Sequence, residues 1–97
     1  PLKEYVLKTE ENPDIAPMLT LTDNGEFQFT YNISMSYLNF GQYTVDGDIY
    51  TLVSENDDRT FVFTKERDTL IFNGEESFEC ILINGEKLKD GSVFILD

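Results

Sequence analysis

Residues 19–33 read Leu-Thr-Leu-Thr-Asp-Asn-Gly-Glu-Phe-Gln-Phe-Thr-Tyr-Asn-Ile, and this stretch decides the fold class. On both sides of the Asp-Asn-Gly segment apolar and polar residues alternate, which places every second side chain on one face of a β-strand. A two-residue loop would set Leu21 opposite Gln28, whereas a three-residue loop sets Leu21 opposite Phe27 and aligns the apolar faces. The sequence therefore predicts a hairpin with a three-residue loop in which Gly25 takes the left-handed conformation.

The same alternation continues toward the C-terminus and is interrupted at short intervals by turn signals. The Asp46-Gly47 pair predicts a two-residue hairpin loop that sets Tyr43 opposite Tyr50. The next loop must have an even number of residues to keep the apolar faces together, and both 55–58 and 56–57 satisfy this condition. A turn at 65–68 then leads into a strand that ends at Asn73-Gly74.

The two ends of the chain are less regular. A first strand at 5–7 and a last strand at 93–96 are predicted, whereas 78–83 is apolar on both faces and its pairing stays open. Residues 1–17 form a less regular N-terminal segment, because prolines within 11–17 break strand pairing and favour a loop or a single helical turn.

Together these patterns predict one all-β domain over residues 1–97, an antiparallel up-and-down meander of about seven to nine short strands. Closure into a small barrel or half-barrel of the lipocalin-like type would bury the aromatic face and remove the sheet edges. The predicted inward side chains are large, so the interior should be filled and leave little room for a ligand. They are Leu19, Leu21, Phe27, Phe29, Tyr31, Tyr43, Val45, Tyr50, Leu52, Phe61, Phe63, Leu70 and Phe72.

The charge balance restricts the possible partners. The chain carries 19 acidic and 7 basic residues, a net charge of -12. A field of this sign repels phosphate backbones and anionic membrane surfaces, so we expect no nucleic acid partner. No stretch approaches the roughly 20 apolar residues of a membrane-spanning helix, so we also expect no direct membrane insertion of these residues.

The residue inventory favours a protein that is not an enzyme. The chain has no His, which removes the usual bases of Ser and Cys nucleophiles and the usual zinc ligands. The single cysteine, Cys80, lies in an apolar run and is interpreted as a buried small hydrophobe. The acidic turns 46–48 and 56–58 offer oxygen ligands for Ca²⁺, but Asp, Asn and Gly are also the ordinary residues of tight turns. We therefore predict no catalytic residue, no metal and no cofactor, and none of the 19 acidic residues stands out as a glycosidase-like pair.

Several strand-and-turn signatures across residues 17–97 resemble a known bacterial domain. They are Leu19-Thr20-Leu21, Gly25-Glu26-Phe27-Gln28-Phe29-Thr30-Tyr31, Ser34, Ser36-Tyr37-Leu38, Gly41-Gln42-Tyr43, Gly47-Asp48, Asp68-Thr69-Leu70-Ile71-Phe72 and Asp90-Gly91-Ser92-Val93-Phe94. This pattern is similar to the C-terminal extracytoplasmic piece of Gram-positive membrane metallopeptidases of the beta-lactam-sensor type, and to related small lipoproteins. Residues 80–85 depart from it. The resemblance carries over no catalytic residue, because this chain has neither a His-containing zinc motif nor a Ser-x-x-Lys.

The sequence leads us to expect one of two functions. The resemblance implies a non-catalytic, extracytoplasmic accessory, sensory or interaction domain of a bacterium, at the cell surface or secreted, which binds an unknown protein or small molecule. The alternative is a lipocalin-like carrier of a small hydrophobic ligand in the mouth of a barrel. In that case Tyr5, Tyr37 and Phe40 are the candidate ligand-binding residues.

Overall fold

The computed structural model describes residues 2–8, 16–32 and 38–97, which form eight antiparallel strands in a closed barrel. Each strand pairs with its neighbour in sequence, and the first strand closes the ring by pairing with the last. The predicted all-β meander is therefore confirmed as a closed barrel. Its strands are β1 (Leu2–Leu7), β2 (Met18–Thr22), β3 (Glu26–Thr30), β4 (Asn39–Asp46), β5 (Ile49–Ser54), β6 (Thr60–Glu66), β7 (Thr69–Phe72) and β8 (Val93–Leu96).

The first hairpin has the predicted three-residue loop. Leu21 pairs with Phe27 and Leu19 pairs with Phe29, so the apolar faces of β2 and β3 coincide. Gly25 has a φ of 84°, in the left-handed region that glycine occupies without a steric cost. The Thr22 hydroxyl oxygen accepts hydrogen bonds from the backbone N–H groups of Asn24 and Glu26, and these bonds stabilise the loop.

The second hairpin differs from its predicted register. Its two-residue loop is Gly47-Asp48, and Tyr43 pairs with Leu52 rather than with Tyr50. Gly47 has a φ of 62° at the first loop position, which a type II′ turn gives to glycine, whereas the predicted type I′ loop would require a positive φ at Asp46. The shift is even, so each residue keeps its predicted face of the sheet. However, Val45 now lies at the end of the barrel and is 51% exposed instead of buried.

The next two turns follow the parity argument. The backbone N–H of Ser54 donates to the carbonyl of Arg59 at 3.0 Å, which selects the four-residue loop 55–58 from the two alternatives. Beyond it, the loop is shorter than the predicted turn at 65–68, because Lys65 and Glu66 still pair with β7; two residues form the loop, and Phe63 pairs with Phe72. Arg67, in that loop, has a φ of 57° and is the one non-glycine residue with a positive φ within the described ranges.

A long connection between β7 and β8, residues 73–92, crosses one end of the barrel. We call this the upper end; it is the end at which β1, β3, β5 and β7 finish. The connection begins with a 3₁₀ turn at Gly74–Glu76. Residues 78–83 form no strand, and an isolated bridge joins Ile81 to Lys87. The side-chain amide of Asn32 donates to the carbonyl of Ile81 at 3.1 Å, which ties the connection to the end of β3.

The barrel axis is filled by aromatic rings. The Phe29 ring contacts Phe61, Phe63 and Phe94 at centroid distances of 5.1, 5.8 and 5.9 Å, all in edge-to-face arrangements that aromatic pairs favour. Apart from Val45, the predicted inward residues are buried, or half-buried in the case of Tyr31, Tyr43 and Tyr50. The core also contains Tyr5, Cys80, Leu88 and Phe94.

Candidate binding site

A cleft of about 320 Å³ opens at the upper end of the barrel. It lies between the end of β1, the start of β8 and the turn formed by residues 82–88. The backbone N–H of Lys8 donates to the carbonyl of Val93 at 2.8 Å, which holds the β1 and β8 sides of the cleft together. The lining residues are Leu7, Lys8, Ala16, Pro17, Tyr31, Leu82, Ile83, Asn84, Glu86, Lys87, Leu88, Lys89, Ser92 and Val93.

The wall opposite β1 is a small turn that is anchored in the core. The N–H of Leu82 donates to the carbonyl of Glu86 at 2.7 Å, and the N–H of Leu88 donates to the carbonyl of Cys80 at 2.8 Å. Leu88 is 1% exposed and belongs to the core cluster, while Leu82 packs against that cluster from outside. The apolar part of the cleft is therefore continuous with the core, which gives it a pre-formed shape.

Among its described residues, the rim of the cleft carries more positive than negative side chains, in a chain whose net charge is -12. Lys8, Lys87 and Lys89 line the cleft, and Glu86 is the one acidic residue among its described lining. Three of the chain's seven basic residues are thus gathered at one place in a molecule of net charge -12. Lys87 also lies 3.9 Å from the carboxylate of Glu79, but both side chains are about 60% exposed, and such a pair contributes little to stability.

Tyr31 connects the cleft to a polar network beside it. Its hydroxyl oxygen accepts a hydrogen bond of 2.7 Å from Nη1 of Arg59, and its ring lies 5.4 Å from that of Phe29. The Arg59 guanidinium forms an ion pair of 3.1 Å with Asp57 and lies 4.3 Å from the centre of the Phe78 ring. These contacts hold Tyr31 in one orientation, so the aromatic side of the cleft is pre-organised.

Of the predicted ligand-binding residues, the two that the structure describes, Tyr5 and Phe40, do not come together. Tyr5 is 2% exposed inside the barrel, where burial and then the neighbouring Tyr50 raise its pKa. Phe40 is 42% exposed on the outer face of β4, beside a smaller cavity of about 170 Å³ that Leu2 and Glu55 also line. Tyr37 lies outside the described residues. Neither Tyr5 nor Phe40 lines the upper-end cleft, and a role for them in binding stays a prediction.

Sequence reasoning missed the lysines of the rim. Lys87 and Lys89 flank Leu88, so their spacing alone places them on the side opposite a buried residue, and this signal was available. Lys8 lies about eighty positions away in sequence and gave no such signal. Only the pairing of β1 with β8 brings it to the same cleft.

Two other groups considered for chemistry are buried or hydrogen-bonded within the fold. Cys80 is buried as predicted, and burial raises the pKa of its thiol to about 12, so the nucleophilic thiolate is scarce at neutral pH. In the acidic turn 56–58, the Asp57 carboxylate already accepts hydrogen bonds from Asn39 at 3.0 Å and from the Arg59 backbone at 3.0 Å. Within the described residues, no three His, Cys, Asp or Glu side chains cluster in a way that suits a metal ion.

Among residues 2–8, 16–32 and 38–97, no helix has the length and apolar character needed to cross a membrane. No protein-family model matches the sequence, and comparisons with curated proteins and with solved structures found no match.

Proposed function

We propose that this protein is a non-catalytic binding domain that takes its ligand at the upper-end cleft. One observation carries the proposal: the cleft joins an apolar wall anchored in the core to a rim whose described residues carry three lysines and one glutamate, in a chain of net charge -12. Concave sites with an apolar lining and a few polar groups are typical of small-molecule binding. The absence of His from the sequence and the raised thiol pKa of Cys80 support a role in binding rather than catalysis.

We further propose that the domain acts as an accessory or sensory domain outside the cytoplasm of a bacterial cell. This part rests on the resemblance of its strand-and-turn signatures to extracytoplasmic domains of Gram-positive membrane proteins. A membrane-impermeant amine reagent, applied to intact cells that produce the protein, tests it. The exposed lysines of the cleft rim react on intact cells if the domain is outside, and only after lysis if it is inside.

The alternative is a lipocalin-like carrier of a small hydrophobic ligand. The apolar wall formed by Leu7, Leu82 and Val93 favours such a ligand. The rings packed around Phe29 occupy the barrel axis, where a lipocalin-like carrier would hold its cargo. A carried ligand would therefore have to sit in the end cleft and stay partly in contact with water.

A fragment screen followed by ¹H–¹⁵N correlation spectra tests the binding function. We expect hits to shift the amide signals of Tyr31, Leu82 and Leu88. Ala16→Phe places a ring in the cleft and should abolish these shifts, since Ala16 is part of its lining. Thr44→Phe adds the same ring to an exposed position on β4 and serves as the matched control. The proposal would be overturned if fragments still shifted the cleft amides in the Ala16→Phe variant, or if no fragment shifted them in the wild type.

A further inference from the structure

The distribution of charge along the surface points to the kind of ligand that the cleft takes. An acidic chain repels anions over most of its surface, so an anion approaches only where positive charge is concentrated. Lys8, Lys87 and Lys89 provide such a concentration, and their excess over Glu86 makes the described lining of the cleft net positive. Among the other basic residues, Arg59 is committed to Asp57 and Tyr31.

The size and lining of the cleft indicate how large the ligand is and that part of it is apolar. At about 320 Å³, the cleft lies at the lower limit of about 300–1,000 Å³ that is usual for small-molecule sites. Leu7, Leu82 and Val93 add apolar surface to the lining that contains the lysines. Lysine side chains also lay their apolar stems along such surface while their ammonium groups stay in water. An apolar tail is therefore accommodated beneath an anionic head.

We propose that the cleft binds a small anionic amphiphile, that is, a carboxylate or similar anionic head on a short apolar tail. The head lies among the three lysines of the rim, and the tail lies against the apolar wall and the ring of Tyr31. This inference rests on the proposed binding function and adds the chemical class of the ligand. A lysine rim suits it, because ammonium groups act as point charges that accept many anion geometries, unlike the fixed fork of arginine.

A charge series of octyl compounds tests the proposal. Octanoate, octyltrimethylammonium and 1-octanol share one tail and differ in head charge, and each is titrated below its aggregation limit into the ¹⁵N-labelled full chain. We expect octanoate to shift the cleft amides at the lowest concentration and octyltrimethylammonium to leave them unchanged. Shortening the tail to hexanoate removes two methylenes from contact and should weaken binding by about tenfold.

A matched pair of triple variants separates the local charge from the total charge. In the test variant, Lys8, Lys87 and Lys89 are each replaced by Gln. In the control, Lys3, Lys65 and Arg67 are each replaced by Gln, which gives the same net charge but changes the opposite, lower end of the barrel. We expect the test variant to bind octanoate about tenfold more weakly than the control, and Glu86→Gln to bind it about twofold more tightly.

The outcomes distinguish this inference from the binding function. Equal affinity of the two triple variants for octanoate, or equal binding of octyltrimethylammonium, would overturn the ligand class. If fragments bind at the cleft while no octyl compound does, the ligand class fails and the binding function stands. If neither fragments nor octyl compounds shift the cleft amides, the proposed function fails as well. Lys65 is half-buried and the other substituted basic residues are exposed, so we expect all variants to stay folded, and the dispersion of the amide signals checks this.

Discussion

Gly41 allows a test of how closely two strands of the barrel approach each other. It faces the interior on β4, opposite Phe27 on β3 and Ser54 on β5. A Cβ atom at this position would collide with the carbonyl oxygen of Val53. It would also lie 3.0 Å from the backbone nitrogen of Glu55 and 3.2 Å from a ring carbon of Phe27.

The expected cost of Gly41→Ala follows from the nature of these neighbours. Overpacking a core usually costs about 1–3 kcal/mol. Here two of the three neighbouring atoms belong to the backbone of Val53 and Glu55 and cannot rotate away, so we expect a loss of about 3 kcal/mol. For a domain of this size, that loss lowers the melting temperature by roughly 12–24 °C. Urea denaturation followed by circular dichroism, together with a thermal scan, measures it.

Gly47→Ala is the matched control for the same chemical change. Gly47 has a φ of 62°, but nothing lies within 4 Å of the position that its Cβ would occupy. Its substitution therefore costs only the backbone strain of the left-handed region, about 1–2 kcal/mol. If Gly41→Ala destabilises the protein no more than Gly47→Ala, the close approach of β4 and β5 described above is wrong.

Three further substitutions have defined outcomes. Arg67→Gly should raise the free energy of unfolding by about 0.5–1 kcal/mol, because it removes the strain of a side chain at a positive φ. Arg67→Ala keeps that strain and should give no gain. A urea titration in which the glycine variant is no more stable than the wild type contradicts this. Tyr31→Phe keeps the ring and removes the acceptor of Arg59, so a loss of about 1 kcal/mol is expected, and an unchanged stability would show that this hydrogen bond contributes nothing. Burial raises the pKa of the Cys80 thiol to about 12, above the thiol's pKa in the unfolded chain. The contribution of the protonated thiol to stability is therefore complete below about pH 8.5 and is lost as the pH rises toward 12. Between pH 8.5 and 10, stability should therefore fall more steeply in the wild type than in Cys80→Ala, by up to about 1.4 kcal/mol per pH unit, and parallel curves would contradict the burial of the thiol.

The strand faces could be predicted because alternation fixes which side chains point inward. This rule placed Leu21 opposite Phe27 and put the aromatic residues of β6 inside. It does not fix register completely, because a shift by an even number of residues leaves every side chain on the same face. The register of the β4–β5 hairpin was therefore decided by backbone conformation, since Gly47 alone supplies the positive φ of that loop.

The upper end of the barrel was harder to predict, because its residues follow no regular period. Cys80 and Leu88 enter the core from an irregular connection, and neighbouring residues in sequence gave no indication of where it crosses the barrel. The cleft depends on the same connection and on the joining of β1 to β8. Long-range placement of this kind is set by the tertiary structure rather than by local propensity.

The pairing of the first strand with the last has a consequence for how the chain folds during synthesis. Hairpins form in sequence order as the chain emerges, but the ring cannot close until Val93–Leu96 has left the ribosome. Until then, β1 and β7 each expose an unpaired edge, and such edges are templates for aggregation. We expect chains that end before residue 93 to aggregate, whereas full-length chains stay monodisperse in light scattering. Synthesis of the last strand thus ends the period in which the edges of β1 and β7 are exposed.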